Sequence, residues 1–283
     1  MIKSMTGYGK TIIQLPAKKI TIEIKSLNSK NIDLNTRFPA IYREKEIFIR
    51  RKLAKQLIRG KIDISFYIES TGEESTSKIN KDIVSNYMQQ LKDIDPDADY
   101  LSIVMRLPDV LKTEREELDD AEWMEIEKGI DGTIDLLEEF RKDEGEVLKR
   151  DFVLRIDSIR ENLEGVIHLD KDRLEAVRVK LLKAINELEV TVDENRFEQE
   201  LIYYLEKLDI TEEKVRLVNH LDYFIKELDG TVSNGKKLAF ISQEIGREVN
   251  TIGSKANFAP MQKLVVQMKD DLEKIKEQLL NVL

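Results

Sequence analysis

Isoleucines in alternation open the chain. Ile20, Ile22 and Ile24 alternate with Thr21, Glu23 and Lys25, after Ile12, Ile13 and a turn at Leu15-Pro16-Ala17-Lys18. A period of two sends one set of side chains to a buried face, so the spacing predicts a half-buried strand. Ile32 and Leu34 repeat the pattern before Arg37-Phe38-Pro39, and Ile62, Ile64, Phe66 and Ile68 give the clearest strand of all. Between them, residues 41–58 change to helical spacing, with Ile47, Arg50, Arg51, Ala54, Lys55 and Ile58 recurring along the helix. Arg59-Gly60-Lys61 ends that helix, with Gly60 placed just past the cap.

Beyond residue 70 the pattern turns helical. TGEESTS (71–77) is a polar linker. Ile83, Tyr87 and Leu91 mark a short helix, Asp95-Pro96-Asp97 ends it, and Leu107-Pro108-Asp109 is a second break. No proline occurs from 119 to 189, where Leu148, Phe152, Ile156, Ile159, Leu163, Leu174, Val177, Leu181, Ile185 and Leu188 recur every three or four residues. A helix over 149–189 would extend about 60 Å. That length suits a helical hairpin or a contact between subunits, with Gly165 and residues 168–172 as the place for a bend. Met261, Leu264, Val265, Met268, Leu272, Ile275, Leu279 and Val282 form one apolar stripe on the last helix. The expected fold class is α+β: a small N-terminal sheet-plus-helix unit (1–70), a helical region with a long charged helix or hairpin (71–190), and a C-terminal helical domain (191–283).

Composition adds to this in two ways. Hydrophobic residues are 41%, charged residues 36% and aromatics only 6%, a balance typical of long helices with narrow apolar seams. The net charge of −9 hides an asymmetry, because residues 1–61 hold 15 Lys and Arg against 4 Asp and Glu, a balance of +11, leaving −20 for the rest. The basic segment either meets an anionic partner or pairs with the acidic helices. No cysteine occurs, which excludes disulfides and thiolate metal sites. With no apolar run of membrane-spanning length and no secretion signal at MIKSMTGYGK, the expectation is a cytoplasmic protein without a membrane partner.

QEIGREVNTIGSK (243–255) holds the candidate chemistry. On a helical wheel Ile241, Ile245, Val249 and Ile252 face the core, and Gly246 and Gly253 fall on one flank, where a neighbour can approach closely. Glu244, Glu248, Thr251 and Lys255 gather on the opposite flank, with Arg247 just beyond. Two carboxylates one turn apart repel unless a cation lies between them, and either Arg247 or Lys255 or a divalent metal answers that need. Upstream, Asp209-Ile210-Thr211-Glu212-Glu213 opens a helix with Thr211 as its natural N-cap, and Glu213, Arg216 and His220 share one face. His220 is either a ligand or a structural histidine; His168 is read as solvated. No Ser-His-Asp arrangement, P-loop or dinucleotide fingerprint is present.

Several motifs together resemble the YicC/YloC family. Ser4-Met5-Thr6-Gly7-Tyr8-Gly9, Glu23-Ile24-Lys25-Ser26-Leu27-Asn28 and Arg59-Gly60-Lys61 match its N-terminal half, and Arg141 with Glu144-Gly145 matches further on. Asp209, Glu212-Glu213, Arg216-Leu217 and His220 match too. So do Gln243-Glu244, Arg247-Glu248, Asn250-Thr251 and Gly253-Ser254-Lys255, with Glu277-Gln278 and Asn281 near the end. The resemblance spans nearly the whole chain and is loosest over 71–115. It implies an endoribonuclease that needs a divalent cation, Mg2+ or Mn2+, and assembles as a homo-oligomer, a hexamer. Two departures stand out: Ala239 occupies a position where the family usually has aspartate, and Lys276 one where it usually has arginine.

The resulting expectation is a metal-dependent endoribonuclease acting on single-stranded or loop RNA in a basic cleft. Glu213, Glu244, Glu248, His220 and Asp209 are the expected metal ligands, and His220, Glu248 and Arg247 the expected catalytic residues. Arg216 and Lys255 clamp phosphates with Arg247, while Arg37, Arg50, Arg51, Lys55, Arg59 and Lys61 track the RNA backbone. A variant of this reading is attack by the RNA 2′-hydroxyl with His220 as general base. The competing reading is a non-catalytic oligomeric RNA-binding adaptor that recruits another ribonuclease, and other RNA-decay enzymes are expected partners in either case.

Overall fold

The computed structural model describes residues 2–70, 77–92, 99–113, 118–187 and 194–283. Most of the linker at 71–77 and the Asp95-Pro96-Asp97 break lie outside them. The sheet has four strands in the order β1-β2-β4-β3: β1 (Gly7–Gln14), β2 (Lys18–Leu27), β3 (Ile32–Arg37) and β4 (Gly60–Ser70). β1, β2 and β4 pair antiparallel, whereas β3 runs parallel to β4. The parallel pair follows from the connection, because helix α1 (Glu46–Gln56) lies between β3 and β4 and carries the chain back.

Ile20, Ile22, Ile24, Ile62, Ile64 and Phe66 point to one face and are buried there, as the alternation predicts. They pack on Ile49 and Leu53 of α1 and on Ile126, Ile130, Ile134 and Leu137 of α4 (Asp120–Glu187). So the sheet takes part of its cover from far beyond residue 70. The face of α1 differs from the sequence reading: Ile47 and Ile58 are exposed, and Ile49, Leu53 and Leu57 form the buried row. Helical spacing permits several faces, and only the sheet chooses between them.

α4 is a single helix of 68 residues, about 100 Å along its path, with no interruption at Gly165 or 168–172. The glycine is spent on packing, since an added Cβ would lie 2.8 Å from Leu264 Cδ1. Short elements α2 (Lys81–Lys92), α3 (Tyr100–Val104), and the strand pair β5 (Ser77–Ile79) and β6 (Leu111–Thr113) precede it. After α5 (Glu194–Lys207), α6 (Thr211–Leu228) and α8 (Ala259–Leu279) pack on the middle of α4, and α7 (Gly235–Lys255) packs against both of them. Their core joins Phe152, Ile156, Ile159 and Leu163 of α4 to Leu217, Leu221 and Phe224, to Ile245, Val249 and Ile252, and to Met261, Val265, Met268 and Leu272. No helix among the described residues is long and apolar enough to cross a membrane. The fold is α+β.

The two ends of the chain meet where sheet and helices join. Met5 N donates to Asn281 O (2.7 Å), and Leu283 N donates to Lys3 O (3.0 Å). Arg141, 1% exposed, donates from Nη2 to Ser26 Oγ (2.6 Å) and to Met5 O (3.4 Å), and from Nη1 to Glu138 Oε1 (3.1 Å). Burial pushes its guanidinium below the ordinary value, with Glu138 acting the other way. Asn28 Nδ2 donates to Leu280 O (2.7 Å) and Arg59 Nη2 to Val282 O (2.5 Å).

Candidate active site

α7 lies between α6 and α8, and its two flanks divide as the wheel predicts. On one flank, a Cβ at Gly246 would lie 3.1 Å from Leu272 Cδ2 and one at Gly253 2.9 Å from Val265 Cγ1, so the glycines let α8 seat its side chains against the helix. Ala239, seven residues before Gly246, belongs to this stripe and packs on the same core. The departure at 239 is therefore on the α8 side, away from the carboxylates. Lys276 crosses α7 at Gly246, with Nζ 3.5 Å from the missing Cβ, and pairs with Glu273 at 2.8 Å.

The other flank turns toward α6. Asn234 caps α7 by accepting from Lys237 N at 3.2 Å, and Gln262 Nε2 closes its far end by donating to the carbonyls of Gly253 (2.6 Å) and Ala256 (2.5 Å). At that end Lys255 Nζ donates to Glu213 Oε1 and to Asp209 O, both at 2.8 Å. Glu213 is 7% exposed, and its Oε2 has no hydrogen-bond partner among the described residues. Glu248, two turns back on the flank of Lys255, is 4% exposed and makes no ion pair or hydrogen bond with any described residue. An ionised carboxylate as enclosed as that of Glu213 costs several kcal/mol unless something positive compensates it. Lys255 answers one of its two oxygens and leaves the other enclosed.

The remaining expected residues fall into place unevenly. Glu244 is partly buried and has Arg247 Nη1 at 4.0 Å, a long contact that leaves Arg247 72% exposed. His220 is partly buried and makes no hydrogen bond with a described residue. Asp209 is exposed and busy: Oδ1 accepts from Thr211 N (3.1 Å) and Oγ1 (2.8 Å), and the Thr211 hydroxyl holds its carboxyl below the ordinary aspartate value. Thr211 is itself the first helical residue and the N-cap position falls to Ile210, which has no capping side chain, so the expected Thr211 cap is replaced by Asp209 accepting from Thr211 just ahead of the helix. Arg216 pairs with Glu212 one turn back on its own helix. Among the described residues, no three His, Asp or Glu side chains converge closely enough to hold a metal ion between them. Glu213, Glu244, Glu248, His220 and Asp209 share the α6–α7 region without forming one coordination sphere.

The basic residues of the sheet unit divide as well. Arg50 donates to Glu46 Oε1 (2.8 Å), Leu34 O (2.7 Å) and Thr36 Oγ1 (2.7 Å), which fills its guanidinium with structural contacts. Arg59 is committed to the carbonyl of Val282. Arg37, Arg51, Lys55 and Lys61 are exposed and make no ion pair with a described residue. The spacing of positive charges could not separate these two groups, because the partners of Arg50 and Arg59 come from other elements.

The model of the family described as Endoribonuclease YicC-like, N-terminal region, matches residues 2–150, and its C-terminal counterpart matches residues 166–283. The chain belongs to the YicC-like endoribonuclease family. A protein of Clostridioides difficile named "Probable endoribonuclease YicC" is 32% identical over 292 residues, covering the whole of both chains. A Haemophilus influenzae protein of the same name is 31% identical over 290 residues, again end to end. In this YicC-like chain the family's C-terminal region contains the whole α6–α7–α8 unit and the two buried carboxylates. Its N-terminal region contains the sheet and the part of α4 that covers it. The motif residues Ser4, Ser26, Asn28, Arg59 and Arg141 all end in the junction where the chain termini meet. Their polar pattern points equally to binding and to structure; the contacts decide for structure.

Proposed function

We propose that this chain is a divalent-metal-dependent endoribonuclease that cuts single-stranded or loop RNA in the α6–α7 groove, working as a homo-oligomer. The observation that supports it best is the buried carboxylate of Glu213, whose Oε2 has no hydrogen-bond partner among the described residues, with a second buried glutamate, Glu248, on the facing helix. Two carboxylates suit Mg2+, which keeps several waters and completes its sphere with substrate phosphate oxygens. Bound there, the ion would supply Lewis-acid stabilisation of the phosphate and a more acidic water.

The chain's own residues do the rest. Lys255 holds Glu213 through one oxygen, and Oε2 would be the atom to hold a cation, so the lysine's role is to position the ligand rather than to clamp RNA. Arg247, exposed and weakly paired, meets the negative charge that builds on the phosphate. His220, one helix face with Glu213 and unbonded, moves a proton at the 2′-hydroxyl or at the leaving oxygen. Arg37, Arg51, Lys55 and Lys61 hold more distant phosphates of the strand. The test is cleavage of a labelled single-stranded RNA by purified protein, with and without EDTA. Cutting abolished by chelator and restored by Mg2+ or Mn2+ is expected; retention of RNA without cutting would favour the adaptor. RNA with hydrogen in place of the target 2′-hydroxyl is cut only by the hydrolytic route.

A further inference from the structure

We propose that Tyr223 and Phe240, with Lys237 between them, form a shelf at the Gly235 end of the α6–α7 groove on which a base of single-stranded RNA stacks beside the phosphate to be cut. This rests on the ribonuclease reading of the groove. Tyr223 lies one turn beyond His220 on α6 and is 42% exposed; Phe240 lies one turn before Glu244 on α7 and is 62% exposed. Lys237 ties the two helices together here, with Nζ 5.1 Å from the centre of the Tyr223 ring and 2.6 Å from Glu227 Oε2. Lys237 and Phe240 are three residues apart and so share a face of α7, which sets Phe240 on the same rim as Tyr223.

A single exposed aromatic needs no explanation. Here two stand on adjoining helices, each one turn from a residue of the candidate centre, and one is fixed by a lysine. The neighbouring cation is Arg247, which lies one turn past Glu244, pairs with it only at 4.0 Å and is 72% exposed. Aromatic rings beside cations that meet phosphate are the way proteins hold unstacked nucleotides without reading their sequence, because every base has a π-face. A stacked base would also favour single-stranded or loop RNA, since a base within a duplex cannot leave its stack without cost. The occupant is thus a nucleobase of RNA. A second copy of the chain, which would also cover apolar rings, becomes an outcome of the test.

The experiment uses full-length protein carrying Glu248→Gln, so that RNA is bound and not consumed, and single-stranded RNA containing one 2-aminopurine, whose fluorescence falls on stacking. Binding with quenching is expected. Adding Tyr223→Leu and Phe240→Leu should abolish the quenching and weaken binding about tenfold or more, by the usual worth of one stacked base. Tyr223→Phe with Phe240→Tyr should keep both. RNA abasic at the probe position should bind the Glu248→Gln protein more weakly but the triple variant no differently. Molar mass by light scattering should be the same throughout. Undiminished quenching in the leucine variant, or no effect of the abasic site, overturns the shelf. A fall in molar mass accompanying the weaker binding also overturns it and assigns the rings to contact between copies. If wild-type protein still cuts RNA in an EDTA-sensitive way, only the shelf has failed; if no RNA is bound or cut, the ribonuclease reading fails with it.

Discussion

Replacing Lys255 with methionine isolates the electrostatics of the groove. The pair it breaks is 2.8 Å long, with the Glu213 side chain 9% exposed and the lysine 31% exposed. Glu213 Oε2 already lacks a partner, so the variant leaves both oxygens of a buried carboxylate bare. Breaking a fully buried pair costs about 3–5 kcal/mol. The lysine end is nearly a third exposed and water can follow it, so about 2 kcal/mol is the expected loss here. In a chain of 283 residues that corresponds to a fall in Tm of about 3–4 °C. Thermal unfolding followed by circular dichroism at 222 nm measures it directly. Glu213→Gln should cost less, because Lys255 keeps its bond to Asp209 O and can reach water. The double variant should be more stable than Lys255→Met alone, because the stranded charge has gone. Mg2+ should raise the Tm of Lys255→Met more than that of the wild type, since its charge then replaces the one that the lysine supplied. A Tm within 1 °C of wild type (about 0.6 kcal/mol) would refute the reasoning, as would a double variant no better than Lys255→Met.

Four further outcomes rest on the same kind of geometry. Gly9→Ala should cost about 2–3 kcal/mol in denaturant unfolding despite alanine's preference, because its Cβ would lie 2.2 Å from the Thr133 carbonyl oxygen, a backbone atom of α4 that cannot move aside. Neutralising Arg51, Lys55 or Lys61 should weaken RNA binding and lower the salt slope by about 0.7 for each phosphate that is no longer neutralised, while Arg50→Ala should lower stability and leave the slope unchanged. Asp209 has a carboxyl held below its ordinary value, so its contribution is complete above its unfolded pKa of about 3.9 and disappears as the pH falls through the lower folded value. Asp209→Asn should therefore flatten the acid limb of stability below about pH 4, read as Tm against pH. Arg141→Met should loosen the junction of the termini, seen as faster amide exchange at Met5 and Leu283, because it removes the donor to Ser26 Oγ and Met5 O.

Much of the local structure is legible from neighbours along the chain. The isoleucine alternation at 20–24 and 62–64 puts the right side chains inside, since strand period depends only on consecutive residues. The wheel of 243–255 likewise separates a core stripe, a glycine flank and an acidic flank, and all three are found where helical geometry sends them. The motifs also lead to the family, because their residues are specific in type and order. What only the tertiary structure decides is who meets whom. Arg50 and Arg51 are adjacent in sequence, yet one is locked by Leu34 and Thr36 and the other faces solvent. Arg59 finds its partner 223 residues away at Val282. The parallel placement of β3, the unbroken course of α4 and the lone oxygen of Glu213 belong to the same class. Periodicity encodes which side of an element is apolar; it says nothing about the atoms on the element opposite, and those atoms determine whether a charge is spent or available.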